Sequence, residues 1–282
     1  MRKHSKRGLI FCAAMLMIFS GLGHDSFRRS DRRAPISMPS LAATAFLPTR
    51  AKAASPAPAP ALPPVRPGLI ESGPSSIPKV AITFDACDRG HGSRFDQQVW
   101  AVLMEKKVKA TIFLGGKWME NHPAETRMIG KSELIEIGNH SYNHPDFRKL
   151  TDERVREQLR KTQALEWQLM GKQGRLFRFP YGSYDERSLK IAAELGLYAI
   201  QWSVVSGDPS PSVRARAMVR EVLRQAKNGS IIIFHINGRG WHTAEALPAI
   251  IDGLRAKGLE PVTVSELLGL PVVHSSATGP RR

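Results

Sequence analysis

Two histidines four residues apart, in Asn139-His140-Ser141-Tyr142-Asn143-His144-Pro145, are the residues best suited to chemistry in this chain. One helical turn or a tight loop aims both imidazoles at a single point, as a divalent metal requires of nitrogen ligands. Two imidazoles need one or two oxygen ligands to complete a zinc-type hydrolytic centre with an open water position. Other polar residues cluster in the same way, each just after an apolar run. Asp85 and Asp88 follow the first such run, the histidine pair the third, and Arg178 to Asp185 close the fourth. Asp208 comes after the fifth and His235 after the sixth. A carboxylate near bound water can serve as base, and a histidine across a pocket can protonate a leaving group. An arginine such as Arg178 commonly orients a carboxylate through a bidentate contact. The backbone of Pro180-Tyr181-Gly182 can present an N–H to a developing oxyanion. Together these groups describe metal-assisted hydrolysis of an acyl group. Singly, each has a plainer explanation: a structural histidine, a surface ion pair of Arg178 with Asp185 or Asp208, an ordinary turn. Their joint position after successive runs outweighs those explanations.

The elements that must position them alternate. Runs with strand character are Val80–Phe84, Thr111–Leu114, Leu134–Ile137, Leu176–Phe179, Tyr198–Trp202, Ile231–Phe234 and Pro261–Val264. Helical segments lie between them at Gln97–Lys107, Glu153–Met170, Glu186–Leu195, Val213–Ala226 and Ala246–Lys257. In the last, Leu247, Ile250, Ile251 and Leu254 share a face, and Gly258 stops it. Strands alternating with helices pair in parallel through right-handed crossovers. About seven such units predict an α/β fold with a barrel-like parallel sheet. The site then lies at the C-terminal ends of the strands, where the strand-to-helix loops gather.

The net charge of +16 over 282 residues suggests a nucleic-acid partner until it is located. Residues 1–66 carry 11 Lys/Arg against 2 Asp/Glu, and Arg281 and Arg282 add two more positive charges, leaving +5 for the rest. That is a solvated surface, and no basic stripe interleaved with aromatics appears, so nucleic acid is excluded as partner. Arg2, Lys3, Lys6 and Arg7 precede an uncharged run from Leu9 to Gly23, the form of a secretory signal. Residues 1–23 are read as a signal peptide or an uncleaved signal anchor, and residues 24–77 as a basic, then Pro/Ala-rich, semi-rigid linker. A folded domain at 78–272 and a flexible tail at 273–282 complete the chain. Export to the periplasm or cell envelope follows, with a membrane tether if the N-terminus stays attached. Cys12 lies in the apolar run and Cys87 is alone in the body, so no internal disulfide supports the fold.

Over residues 78–270 the chain resembles the polysaccharide deacetylases (NodB homology, carbohydrate esterase family 4). Thr83-Phe84-Asp85, His140-Ser141-Tyr142-Asn143-His144, Arg178-Phe179-Pro180-Tyr181-Gly182, Asp208 and Ile233-Phe234-His235 resemble its five motifs in order. The resemblance implies a distorted (β/α) barrel and a divalent metal, zinc or alternatively cobalt, on His140 and His144. It implies Asp85 as catalytic base oriented by Arg178, and the Tyr181 N–H in the oxyanion hole. It implies His235 as general acid tuned by Asp208. Two positions depart from the pattern. The family's paired Asp-Asp is here Asp85-Ala86-Cys87-Asp88, so the third protein ligand is Asp88, or else His91, Cys87 or water. Pro209 replaces a tryptophan that lines the acetyl pocket, a place open to Trp202 or Trp241. Asn237, Trp241 and His242 are expected to help select the glycan. The implied activity is removal of acetyl groups from N-acetylglucosamine units of peptidoglycan, chitin-like oligomers or exopolysaccharide. The competing readings are a glycan-binding barrel without turnover and an O-acetyl esterase.

Overall fold

A computed structural model describes residues 64–88 and 92–271. The expected signal or anchor, most of the linker, His91 and the tail lie outside the described residues. The elements run β1 (Leu69–Ile70), β2 (Lys79–Ala86), α1 (Gln97–Glu105), β3 (Ala110–Leu114), α2 (Gly116–Asn121) and α3 (Pro123–Lys131). There follow β4 (Ile135–Asn139), α4 (Asp152–Met170), β5 (Leu176–Phe177), α5 (Glu186–Glu194), β6 (Tyr198–Ile200) and β7 (Val204–Val205). The chain then forms α6 (Ala215–Gln225), β8 (Ile231–His235), α7 (Thr243–Ala256), β9 (Glu260–Val262) and α8 (Val264–Leu268). The strands form one sheet in the order β1-β6-β5-β4-β3-β2-β8-β7, with β9 added against β2. Every ladder is parallel. This is the distorted (β/α) barrel expected of the sequence.

All seven expected strands form, and two short ones join them. Residues 69 and 70, read from the sequence as linker, pair with β6 at Leu69↔Ala199 and Ile70↔Ile200. The folded body therefore begins ahead of residue 78. Two residues are too few to show a period, and they become strand only because the edge of β6 offers a partner. The helices α2 and α3 were also not foreseen. They start at a Gly-Gly pair and at Pro123, and between them hold few residues that repeat at helical spacing.

Strand alternation explains where the chemistry ends up. On β2, Val80, Ile82, Phe84 and Ala86 belong to the apolar cluster under the helices, whereas Ala81 belongs to the cluster inside the barrel. Thr83 and Asp85 share the inward side with Ala81. The same alternation sends Ile232 and Phe234 outward and leaves Ile231 and His235 inward. It sends Phe177 and Phe179 outward and leaves Leu176 and Arg178 inward. The inward positions are apolar low in the barrel and polar at the C-terminal ends. Gly138 on β4 is required there, because a Cβ would approach the Phe113 ring to 2.6 Å. Phe113 is thus allowed to fill the centre of the barrel beneath the polar layer.

On α4, Val155, Leu159, Thr162 and Glu166 form the buried face at helical spacing. Glu166 is the anomaly. Its Oε2 accepts the Gly174 N–H at 3.1 Å, and its Oε1 is buried with no hydrogen-bond partner. Burial pushes this carboxyl up to about 8, against the smaller pull of the Gly174 bond. Between the ordinary value of 4.5 and about 8 the folded chain keeps a proton that the unfolded chain has released. The stability from this group is therefore complete below about pH 4.5 and is lost as pH rises through about 8. Glu166→Gln, which mimics the protonated form, should gain melting temperature over the parent progressively from about pH 5 to about pH 8. A difference that does not change with pH would contradict this assignment.

Candidate active site

Asp85 is the last inward residue of β2, and His235 is its register partner on β8. Parallel pairing points both side chains to the same face, so a carboxylate and an imidazole become neighbours by strand register alone. Behind them Phe84 and Phe234 stack with centroids 5.6 Å apart and lock the pairing from the helix side.

Arg178 enters from the end of β5 and is fully buried. Its Nη1 donates to Asp85 Oδ1 at 2.8 Å, Nη2 to the Gln201 carbonyl at 3.1 Å and Nε to the Ile200 carbonyl at 3.4 Å. The guanidinium carbon lies 4.1 Å above the Phe113 ring and 5.5 Å from the Trp202 ring. Burial pushes the Asp85 carboxyl up, but the charge of Arg178, with smaller pulls from His140 and His235 in their protonated forms and from the Arg178 hydrogen bond, outweighs it. The net result is a pKa below the ordinary carboxylate value. Asp85 is therefore an anion at neutral pH.

The two histidines meet as their spacing suggested, with ring centroids 4.9 Å apart. A loop achieves this, not a helix: Ser141 and His144 both take left-handed backbone, φ 63° and 59°. Such positions cost about 1 kcal/mol or more each and need external support. Gln158 on α4 supplies it, its Oε1 accepting the N–H groups of Tyr142 and Asn143 at 3.1 and 3.0 Å. Asn139 Oδ1 accepts the Ser141 N–H, and Ser141 Oγ accepts the His144 N–H. His140 Nδ1 donates to the Arg178 carbonyl at 2.9 Å, which leaves Nε2 with its lone pair toward the site. Nε2 is 3.5 Å from Asp85 Oδ2. Burial drives the His140 pKa down against the pull of Asp85, keeping the ring neutral and able to ligate.

The group that joins these imidazoles is Cys87: its Sγ and the two histidine nitrogens lie within 4.8 Å of one another, all three residues buried. Two imidazoles and a thiol, gathered at the strand ends, fit a divalent ion of zinc type. Asp88, the carboxylate expected there, directs Oδ2 to Asn121 Nδ2 at 2.6 Å.

Tyr181 also takes left-handed backbone, φ 59°, and its ring meets that of His144 edge-on at 4.5 Å. The Pro180-Tyr181-Gly182 turn is thereby brought against the histidine loop. Across the site, Asp208 is fully buried and holds His235 twice, at Nδ1 (2.9 Å) and at the main-chain N–H (2.7 Å). Thr243 Oγ1 donates to the same carboxylate at 3.0 Å, a contact not visible in the sequence. Gly240 makes room for it, since a Cβ there would lie 2.9 Å from Asp208 Oδ2 and 2.6 Å from the His235 carbonyl. Burial lowers the His235 pKa, but the hydrogen bond and charge of Asp208, with the charge of Asp85, raise it above the ordinary value.

The residues expected to contact glycan separate. Trp202 stands against Arg178, and Trp241 is half-exposed in a cleft of about 490 Å³ lined also by Cys87, Arg94 and Arg239. Asn237 is buried and directs Nδ2 to the Cys87 carbonyl at 2.7 Å. His242 turns away to Glu245 and Arg214, both at 3.1 Å.

This arrangement has known relatives. The sequence profile of the family described as polysaccharide deacetylase matches residues 72–200. The chain is 34% identical over 199 residues to a peptidoglycan-N-acetylglucosamine deacetylase of Bacillus cereus, covering 70% of each chain. The chain belongs to the polysaccharide deacetylase family. It is also 36% identical to the uncharacterized protein YlxY of Bacillus subtilis, over 72% of this chain but only 61% of that relative's length. Among solved structures it is similar to a family 4 pseudoenzyme of Bacillus anthracis. That likeness has a TM-score of 0.65 and 28% identity, and covers 72% of this chain and 69% of the other. A similar structure is thus described as a pseudoenzyme, so the activity of this chain has to be argued from its own residues.

Asp208→Asn tests the His235 side of the site. With the Asp208 charge gone, only Asp85 still opposes burial, and the His235 pKa should fall below that of the parent in an imidazole NMR titration. An unchanged pKa would show that Asp208 does not tune His235.

Proposed function

We propose that this protein is an exported, zinc-dependent N-deacetylase of glycans, acting on N-acetylglucosamine units of peptidoglycan. The observation that carries the reading is the register pairing of Asp85 with His235, one held anionic by Arg178 and the other shifted toward its protonated form by Asp208. Two titratable neighbours whose surroundings push their pKa values apart make an acid and a base of one site.

A metal held by His140 and His144 would polarise the acetyl carbonyl and acidify the attacking water. Asp85 takes the proton from that water, its second oxygen free of the Arg178 contact and turned toward His140. Arg178 fixes the carboxylate and, through its carbonyl, the tautomer of His140. The Tyr181 N–H is the donor assigned to the developing oxyanion. His235 Nε2 then delivers a proton to the departing amine, while Asp208 stabilises the imidazolium through Nδ1. Trp202 borders the site where the acetyl methyl would be enclosed.

Peptidoglycan is favoured over a neutral chitin-like oligomer by Arg94 and Arg239, which line the cleft that also holds Cys87 and suit the carboxylates of its stem peptides. Export is supported by the basic residues ahead of the uncharged Leu9–Gly23 run and by the Pro/Ala-rich stretch behind it. A membrane tether remains part of this proposal only if that run is retained.

Turnover-free glycan binding is the second reading, favoured by Ala86 standing where the family pattern has a second aspartate and by the similarity to a pseudoenzyme. Acetate release from N-acetylated peptidoglycan separates the two, with an O-acetylated glycan as the ester control. The proposed enzyme should release acetate from the first, and Asp85→Asn should cut the rate by about 10²–10⁴-fold. The variant should keep its metal and fold, at a lower melting temperature because Arg178 loses a buried partner. No acetate from the parent, or parent-like release from Asp85→Asn, would overturn the deacetylase assignment.

A further inference from the structure

The alternation along β2 determines which residue after Asp85 can reach the metal. Asp85 points into the barrel, and Ala86 packs outward in the cluster beneath the helices. The position that follows Asp85 directly, where a second aspartate would stand in the family pattern, is therefore turned away from the imidazoles here. The next position is turned back, and it holds a cysteine. The chain is fixed at that point by the Gly115 N–H to the Ala86 carbonyl at 2.8 Å and by Asn237 to the Cys87 carbonyl at 2.7 Å.

We propose that Cys87, as thiolate, is the third protein ligand of the metal together with His140 and His144. The site would then be of sulfur-containing, zinc-selective type, not an all-nitrogen-and-oxygen one. The proposal relies on the deacetylase reading only in supposing that a metal is bound. Three observations support it. The three donor atoms are already within 4.8 Å of one another. Ligands at about 2.3 Å (sulfur) and about 2.0–2.1 Å (nitrogen) from a tetrahedral zinc would be about 3.3–3.6 Å apart, so a side-chain shift on the order of 1 Å closes the site. Asn237 Nδ2 also lies 3.4 Å from Cys87 Sγ, a buried donor of the kind that steadies a ligating thiolate from outside. Asp88, meanwhile, is engaged with Asn121. Three protein ligands of this kind leave a fourth position for water, the pattern of catalytic rather than structural zinc. Soft thiolate disfavours magnesium and calcium and favours zinc or cobalt.

The test is zinc-edge X-ray absorption on the full chain loaded with one equivalent of zinc, with cobalt(II) absorption as a second probe. The expected result is one sulfur at about 2.3 Å and a sulfur-to-cobalt charge-transfer band. Both should vanish in Cys87→Ser and Cys87→Asp, with zinc affinity reduced about 10-fold or more in the first. Circular dichroism confirms that the variants fold, and Asp88→Asn should keep sulfur and affinity. A shell of nitrogen and oxygen alone, absence of bound metal, or loss of metal in Asp88→Asn but not in Cys87→Ser would overturn the proposal. Acetate release is scored separately. Sulfur coordination without turnover would sink the deacetylase reading alone, and turnover without sulfur would sink this one alone.

Discussion

The buried ion pair of Arg178 with Asp85 is the constraint on which the rest of the site depends. Both side chains are buried, and removing one partner of such a pair typically costs about 3–5 kcal/mol. The barrel offsets this by packing the guanidinium between the Phe113 ring and two main-chain carbonyls. Phe113 can be there only because residue 138 is glycine. Arg178 also acts through its own carbonyl, which accepts from His140 Nδ1 and turns Nε2 inward. One residue thus fixes the ionisation of Asp85 and the tautomer of His140.

The opposite half of the site is built on the same plan with different parts. Asp208 receives donors from the His235 ring, the His235 backbone and Thr243, which satisfies a fully buried carboxylate. The two halves meet because β2 and β8 are hydrogen-bonded in a register that sets Asp85 beside His235. A slip of one residue in that ladder would turn one of them outward into the helix layer. Barrel register, not loop geometry, is therefore what brings Asp85 and His235 together, whereas the histidine loop is held by Gln158 of α4.

Much of this was legible in the sequence, for a physical reason. Runs such as Ile231–Phe234 are long enough to declare a strand, and the polar residue after each had to emerge at the C-terminal end of a parallel sheet. Elements below that length were not legible: Leu69–Ile70 becomes strand only against β6, and α2 and α3 lack a clear period. The choice between Asp88 and Cys87 beside the histidines turned on which way one residue faces as β2 ends. Spacing does not encode that rotation, although continuing the inward series from Ala81 through Asp85 leads to Cys87. Asn237 and His242 were expected to help select the glycan, but their side chains go to Cys87 and to Glu245, choices set by burial and by the turn into α7.

The claim that Arg178 works through Asp85 is open to a double-mutant cycle. Acetate release from N-acetylated peptidoglycan would be measured for Asp85→Asn, Arg178→Gln and the pair, each corrected for its folded fraction. If Arg178 serves catalysis by holding the base, the double variant should be no slower than Asp85→Asn alone. Losses that multiply would contradict the account, because they would give Arg178 a role in the reaction independent of the carboxylate it holds.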